Sequence, residues 1–118
     1  MLSATERNAI LIEMRGFLES VQGIVAGLAE QNTRAIATSA RTSGMASAQG
    51  VPQALKDKLP TEFKKLGMAT LMAFDGLIRE SMEIGNRQVI LKQVGALMGN
   101  CTTCHAGYRI DEEGWRRK

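Results

Sequence analysis

The first thirty residues constrain the fold most. Ile10, Met14, Phe17, Val21, Ile24 and Leu28 recur at spacings of three and four, and Leu11, Leu18 and Val25 follow beside them every seven residues. At roughly 100° per residue, these positions cover about 140° of one helix surface. A band this broad buries more than one contact, so the helix faces an interior and keeps apolar surface for a second neighbour. Ser3-Ala4-Thr5-Glu6 supplies a capping box at its start. Arg7 falls in the apolar sector, an unusual place for a guanidinium.

The same rules divide the remainder. Asn32 or Thr33 caps a second helix through Ile36, Ala37 and Ala40 that ends at Gly44. Met45 to Pro60, holding both prolines, reads as a loop with one turn of helix around Ala54 to Lys58. Thr61 opens a third helix whose inner face carries Phe63, Leu66, Gly67, Thr70, Leu71, Phe74, Leu77 and Ile78, and Gly85 closes it. Asn86 begins a fourth, with Ile90, Leu91, Val94, Leu97, Met98 and Cys101 inward. No alternating run is bounded by turn signals, so no sheet is predicted. The expectation is an all-α, antiparallel four-helix bundle forming a single domain over residues 1–118.

Composition narrows the function classes. Aromatics make up only 4% of the 118 residues, while methionine occurs seven times. Such a core takes its bulk from aliphatic and Met side chains, or in part from a bound cofactor. The net charge of +3 is mild and has no basic stripe with interleaved aromatics, which argues against a nucleic-acid reader. Arg109, Arg116, Arg117 and Lys118 gather charge near the C-terminus, either as a solvated tail or as a docking surface for an acidic partner. No apolar run approaches a membrane span. The opening MLSATERNAI lacks the apolar core of a secretory leader, so an exported protein would already have lost one.

Both cysteines and the sole histidine fall within Cys101-Thr102-Thr103-Cys104-His105. Structural zinc needs four ligands, and only three donors are present here. A thioredoxin-like dithiol follows a strand and opens a helix, whereas this pair sits late in a helical segment. The remaining chemistry is covalent haem attachment through C-x-x-C-H. Thiols three residues apart share one helical turn and reach two vinyl groups, and the following His supplies an axial nitrogen. One haem c, held by Cys101, Cys104 and His105, is therefore expected.

With CTTCH near the C-terminus, Ala106-Gly107-Tyr108-Arg109 after it and Gly95 to Met98 before it, the chain resembles the class II c-type cytochromes. These comprise cytochrome c′ and its low-spin, Met-ligated relatives. The resemblance implies the haem on the last helix of a four-helix bundle, a periplasmic location and a homodimer paired through the first helix. It also implies that Arg109 lies over the His105 imidazole, though a cation favoured at a helix C-terminus is an equal reading. Arg7 matches an arginine that contacts a haem propionate; solvation near the chain end is the alternative.

The second axial position separates two functions. No other His exists, so Met14, in the middle of the first helix's stripe, is the candidate sixth ligand. Met/His ligation raises the reduction potential into the electron-transfer range. In five-coordinate members of the family an apolar side chain blocks this position and yields to NO or CO; Leu11, one turn from Met14, matches that role. Met98 is expected to touch the haem from its own helix, and Phe63, Gly67 and Phe74 to line its cavity. The expected function is a periplasmic electron carrier serving redox partner proteins. The alternative is a diatomic-gas-binding protein. A peroxidase-like enzyme is disfavoured, because no distal His or carboxylate is offered for acid–base work.

Overall fold

Side-chain caps begin three of the four main helices. In the computed structural model, which describes residues 2–111 and 114–117, with side chains through residue 110, helix α1 spans Ala4–Ala29. Ser3 Oγ accepts from the Glu6 backbone N–H, and Glu6 accepts from the Ser3 N–H, completing the reciprocal box. Asn32 caps α2, Thr33–Arg41, by accepting from the Ala35 N–H at 3.0 Å. Asn86 does the same for the last helix through Val89 at 3.1 Å. After α2 come a short 3-10 turn, Met45–Ala48, and the one-and-a-half-turn α3, Gln53–Lys58. Helix α4, Thr61–Glu83, follows Pro60, and α5 runs over Arg87–Gly107.

Gly85 ends α4 at φ +71°, with its N–H on the Glu80 carbonyl at 2.7 Å. A Cβ there would stand 2.8 Å from Thr33 Cγ2, so both the backbone conformation and the packing against α2 call for glycine.

The chain is mostly helical, in keeping with the all-α expectation. Helix α1 packs on α2, α2 on α4 and α4 on α5. Their shared core comprises Phe17, Ile24 and Leu28 of α1, Ile36 and Ala40 of α2, Leu71, Phe74 and Leu77 of α4, and Ile90, Val94 and Leu97 of α5. Each set follows helical spacing, which is why the periodicity locates the interior. A hydroxyl cluster adds polar fixation where α1 meets the end of α2. Ser20 Oγ lies 2.7 Å from Thr42 Oγ1 and 2.5 Å from Ser43 Oγ, so the buried Ser20 and Ser43 hydroxyls satisfy one another and the exposed Thr42 joins them.

Two features depart from the expected outline. Helix α2 stops at Arg41 instead of reaching Gly44, because the Thr42 and Ser43 side chains turn back toward α1. Two four-residue strands also follow α5: Tyr108–Asp111 pairs antiparallel with Gly114–Arg117. The expectation of no strand is corrected here, since segments this short give too few alternating positions to register as a pattern. The tail from Asp111 to Lys118 holds three of the four cations that the sequence gathers near the C-terminus. The side chains of this tail, including Trp115 and the cations Arg116, Arg117 and Lys118, lie outside the described residues.

A second, smaller cluster sits where the chain ends converge. Leu2, Ile10 and Leu55 are buried together, with Met14, Val51, Leu59 and Ile110 against them. Lys58 of α3 pairs with Glu6 at 2.8 Å and ties the segment before α4 to the start of α1. Hydrogen bonding from Lys58, then from the Ser3 backbone, holds the Glu6 carboxyl at about 2.

Candidate functional site

Helices α1 and α5 barely touch along their length, and the space between them is open. A cavity of about 460 Å³ is walled by Leu11, Met14, Leu18 and Val21 of α1 and by Met98, Cys101 and His105 of α5. A neighbouring cavity brings Phe63 and Gly67 of α4 to the same place, beside Met14, Cys101, Cys104 and His105. A third, of about 220 Å³, adds Arg109 next to Leu11, Met14, Phe63, Cys104 and His105. Met14 and His105 wall all three. These cavities form a cleft between α1, α4 and the last turns of α5.

The donors on α5 have distinct environments. Cys101 and Cys104 are free, half-buried thiols one helical turn apart, and His105 is exposed. Burial pushes both thiols up, and the neighbouring Cys101 raises Cys104 further. They also sit near the C-terminal end of the helix, where the backbone dipole disfavours a thiolate. Reactive redox dithiols are activated by the opposite arrangement, so these sulfurs stay protonated at neutral pH. Nor do the thiols and imidazole converge on a common point: among the described residues, no three His, Cys, Asp or Glu side chains gather as ligands of one ion. The three donors face a mainly apolar cleft and suit attachment to separate atoms of one large group.

The expected site residues divide as follows. Cys101, Cys104, His105, Met14, Leu11, Phe63, Gly67, Met98 and Arg109 all line the cleft. Phe63 also meets Tyr108 edge-on, with ring centroids 6.0 Å apart. Space for a side chain at Gly67 is open, with no atom within 4 Å of a Cβ built there. Phe74 lies elsewhere: fully buried, it stacks on Phe17 at 5.6 Å, one layer behind the cleft. Arg7 is half-buried and is absent from the cleft walls; among the described residues, the cations there are Arg15 and Arg109. Arg15 was legible in principle, because positions 11, 15 and 18 share one side of a helix. Asn100 and Leu66 also line the cleft without having been singled out as site residues.

On the other side of Met14, a cavity of about 270 Å³ lies between α1, α4 and residues 45–59. Glu13 lines it half-buried among mainly apolar neighbours, and burial pushes its carboxyl up. Ionising Glu13 therefore costs folding free energy above the ordinary carboxylate range, and no cost exists below it, where folded and unfolded chains are both protonated. The Glu13→Gln variant is expected to unfold at a higher urea concentration than the parent at neutral pH. That gain should vanish in acid, and a gain independent of pH would refute the burial argument.

No known family model matches the chain, and no curated protein or solved structure is significantly similar to it.

Proposed function

We propose that this chain is a mono-haem c-type cytochrome built as an antiparallel four-helix bundle, and that it works as a periplasmic electron carrier. The observation that carries the reading is the shared cleft, in which Met14 of α1 and His105 of α5 wall the same cavities as both free thiols. The residues fit the group. Two uncharged thiols on one helical turn face apolar walls, a sole imidazole follows them, and a thioether stands on the helix across the cleft.

Cys101 and Cys104 would hold the haem as thioethers, His105 would supply the proximal nitrogen and Met14 the distal sulfur. When bound, the haem supplies a one-electron Fe(III)/Fe(II) couple. The protein's own residues bury that couple and set its ligation, with no bond chemistry on a substrate. Leu11, Leu18, Phe63 and Met98 would give the group apolar walls. Arg15 and Arg109, on its walls, provide positive charge for the carboxylates of the group, a role the sequence had suggested for Arg7.

One observation favours a second reading. Leu11 shares two cavities with His105 and stands one turn from Met14. If Leu11 covers the distal side, the iron is five-coordinate and the protein binds NO or CO instead. Self-association through the first helix belongs to both readings. Leu18 and Val25 are 71% and 49% exposed on α1, and Leu11 continues their row into the cleft. Export is implied as well, because haem c is attached outside the cytoplasmic membrane in the family that the sequence resembles.

The optical spectrum of the oxidised protein tests the reading. Low-spin bands with a weak near-infrared Met–iron transition are expected. A high-spin spectrum that shifts when CO is added after reduction would replace the carrier with the gas-binding reading.

A further inference from the structure

Outside the cleft, methionine is concentrated on one face of α4. Met68 and Met72 are 47% and 59% exposed, although methionine usually fills cores. At roughly 100° per residue, positions 68, 72 and 75 fall within about 60° of the helix surface. The carboxylate of Asp75 accepts from the Met45 backbone N–H at 3.2 and 3.4 Å, which brings the Gly44–Met45 corner down onto this face. Met45, 37% exposed, lines a cavity together with Met68. Met45 and Met68 thus line one cavity, and helical spacing puts Met72 and Asp75 on the same face of α4 as Met68.

Thioethers are neutral, polarizable donors that select soft ions such as Cu(I), and they hold hard cations such as Ca²⁺ and Mg²⁺ poorly. Flexible methionine side chains can adjust to one centre without moving the backbone. Asp75 adds a negative charge beside an otherwise neutral donor set. Met82 lies on the same helix face three turns on, but its sulfur already accepts from Arg41 Nη2 at 2.6 Å. Met98 belongs to the cleft.

We infer that Met45, Met68 and Met72 form a surface site for a soft monovalent metal ion of the Cu(I) class. The inference is independent of the haem reading, since none of these residues lines the cleft beside Cys101, Cys104 and His105. The test adds Ag(I), a redox-inert stand-in, to the full-length protein with both cysteine sulfurs blocked as thioethers, and follows the methionine ε-methyl resonances. The methyl signals of Met45, Met68 and Met72 are expected to shift together and saturate at one ion per chain. Met82 and Met98 should stay in place. In Met68→Leu/Met72→Leu, affinity for Ag(I) should fall by more than the about tenfold typical of losing an outer-shell partner, with helix content unchanged. Met82→Leu should bind as the parent does. Shifts centred on other methionines, no saturable shift, or undiminished binding by the double variant would overturn the site.

Discussion

If the proposed haem ligation holds, Met14→Leu is expected to change the oxidised spectrum from low-spin to high-spin and to lower the reduction potential, with the fold intact. Met14 is half-buried and packs against both apolar clusters, so a substitution that removed volume would confuse ligation with packing. Leucine conserves the volume, and such an exchange costs under about 1.5 kcal/mol. What it removes is the sulfur that Met14 presents to the cleft. Loss of Met/His ligation lowers the potential, so spectrum and potential should move together. An unchanged spectrum would make Met14 a packing residue: a high-spin one would move the distal assignment to Leu11, and a low-spin one would require a ligand other than Met14. The two side chains stand one turn apart on the same cleft, which is why this variant separates the two functions.

Phe74→Ala is expected to destabilise the protein by about 3–5 kcal/mol, the range for truncating a fully buried aromatic ring. Phe74 has no solvent exposure and stacks on Phe17 where α1, α2, α4 and α5 share their core. A domain of this size has about 5–15 kcal/mol of stability in all, so the loss should be plain in urea unfolding. The prediction also separates core from cleft. The sequence assigned Phe74 to the cleft wall alongside Phe63, whereas the structure keeps the two rings in different layers. Truncating Phe63 opens the wall beside Met14 and His105. Truncating Phe74 weakens the whole fold and leaves that wall's residues in place. A change below about 1 kcal/mol for Phe74→Ala would mean that the core is far more loosely packed than the stacked rings imply.

Helix starts were legible because capping is local. Ser3 with Glu6, Asn32 and Asn86 each act within three residues, and Gly85 ends α4 through its own backbone conformation. The interior of α1 was legible for the same reason, since helical spacing alone gathers Phe17, Ile24 and Leu28. Site residues carried by α5 followed from their shared turn. What escaped depended on where helices meet along their lengths and how they rotate against one another. Spacing puts Phe63 and Phe74 within about 20° of each other on α4 but three turns apart along it, and does not say which level of that face meets the cleft. The apolar sector of α1 likewise included Arg7, yet among the described residues the cations on the cleft walls are Arg15 and Arg109. The small cluster of Leu2, Ile10 and Leu55 joins segments far apart in sequence, and no local pattern announces it.

The central claim is covalent attachment of one haem at Cys101 and Cys104, and intact-mass spectrometry tests it most directly. The chain should be exported in a host that matures c-type cytochromes, then treated with acidified acetone, which extracts haem that is not covalently bound. The account predicts a single species carrying the mass of one haem, its visible absorption retained after extraction, and no such species in Cys101→Ala/Cys104→Ala. A colourless parent chain at its unmodified mass, with both thiols free to alkylate, would contradict it.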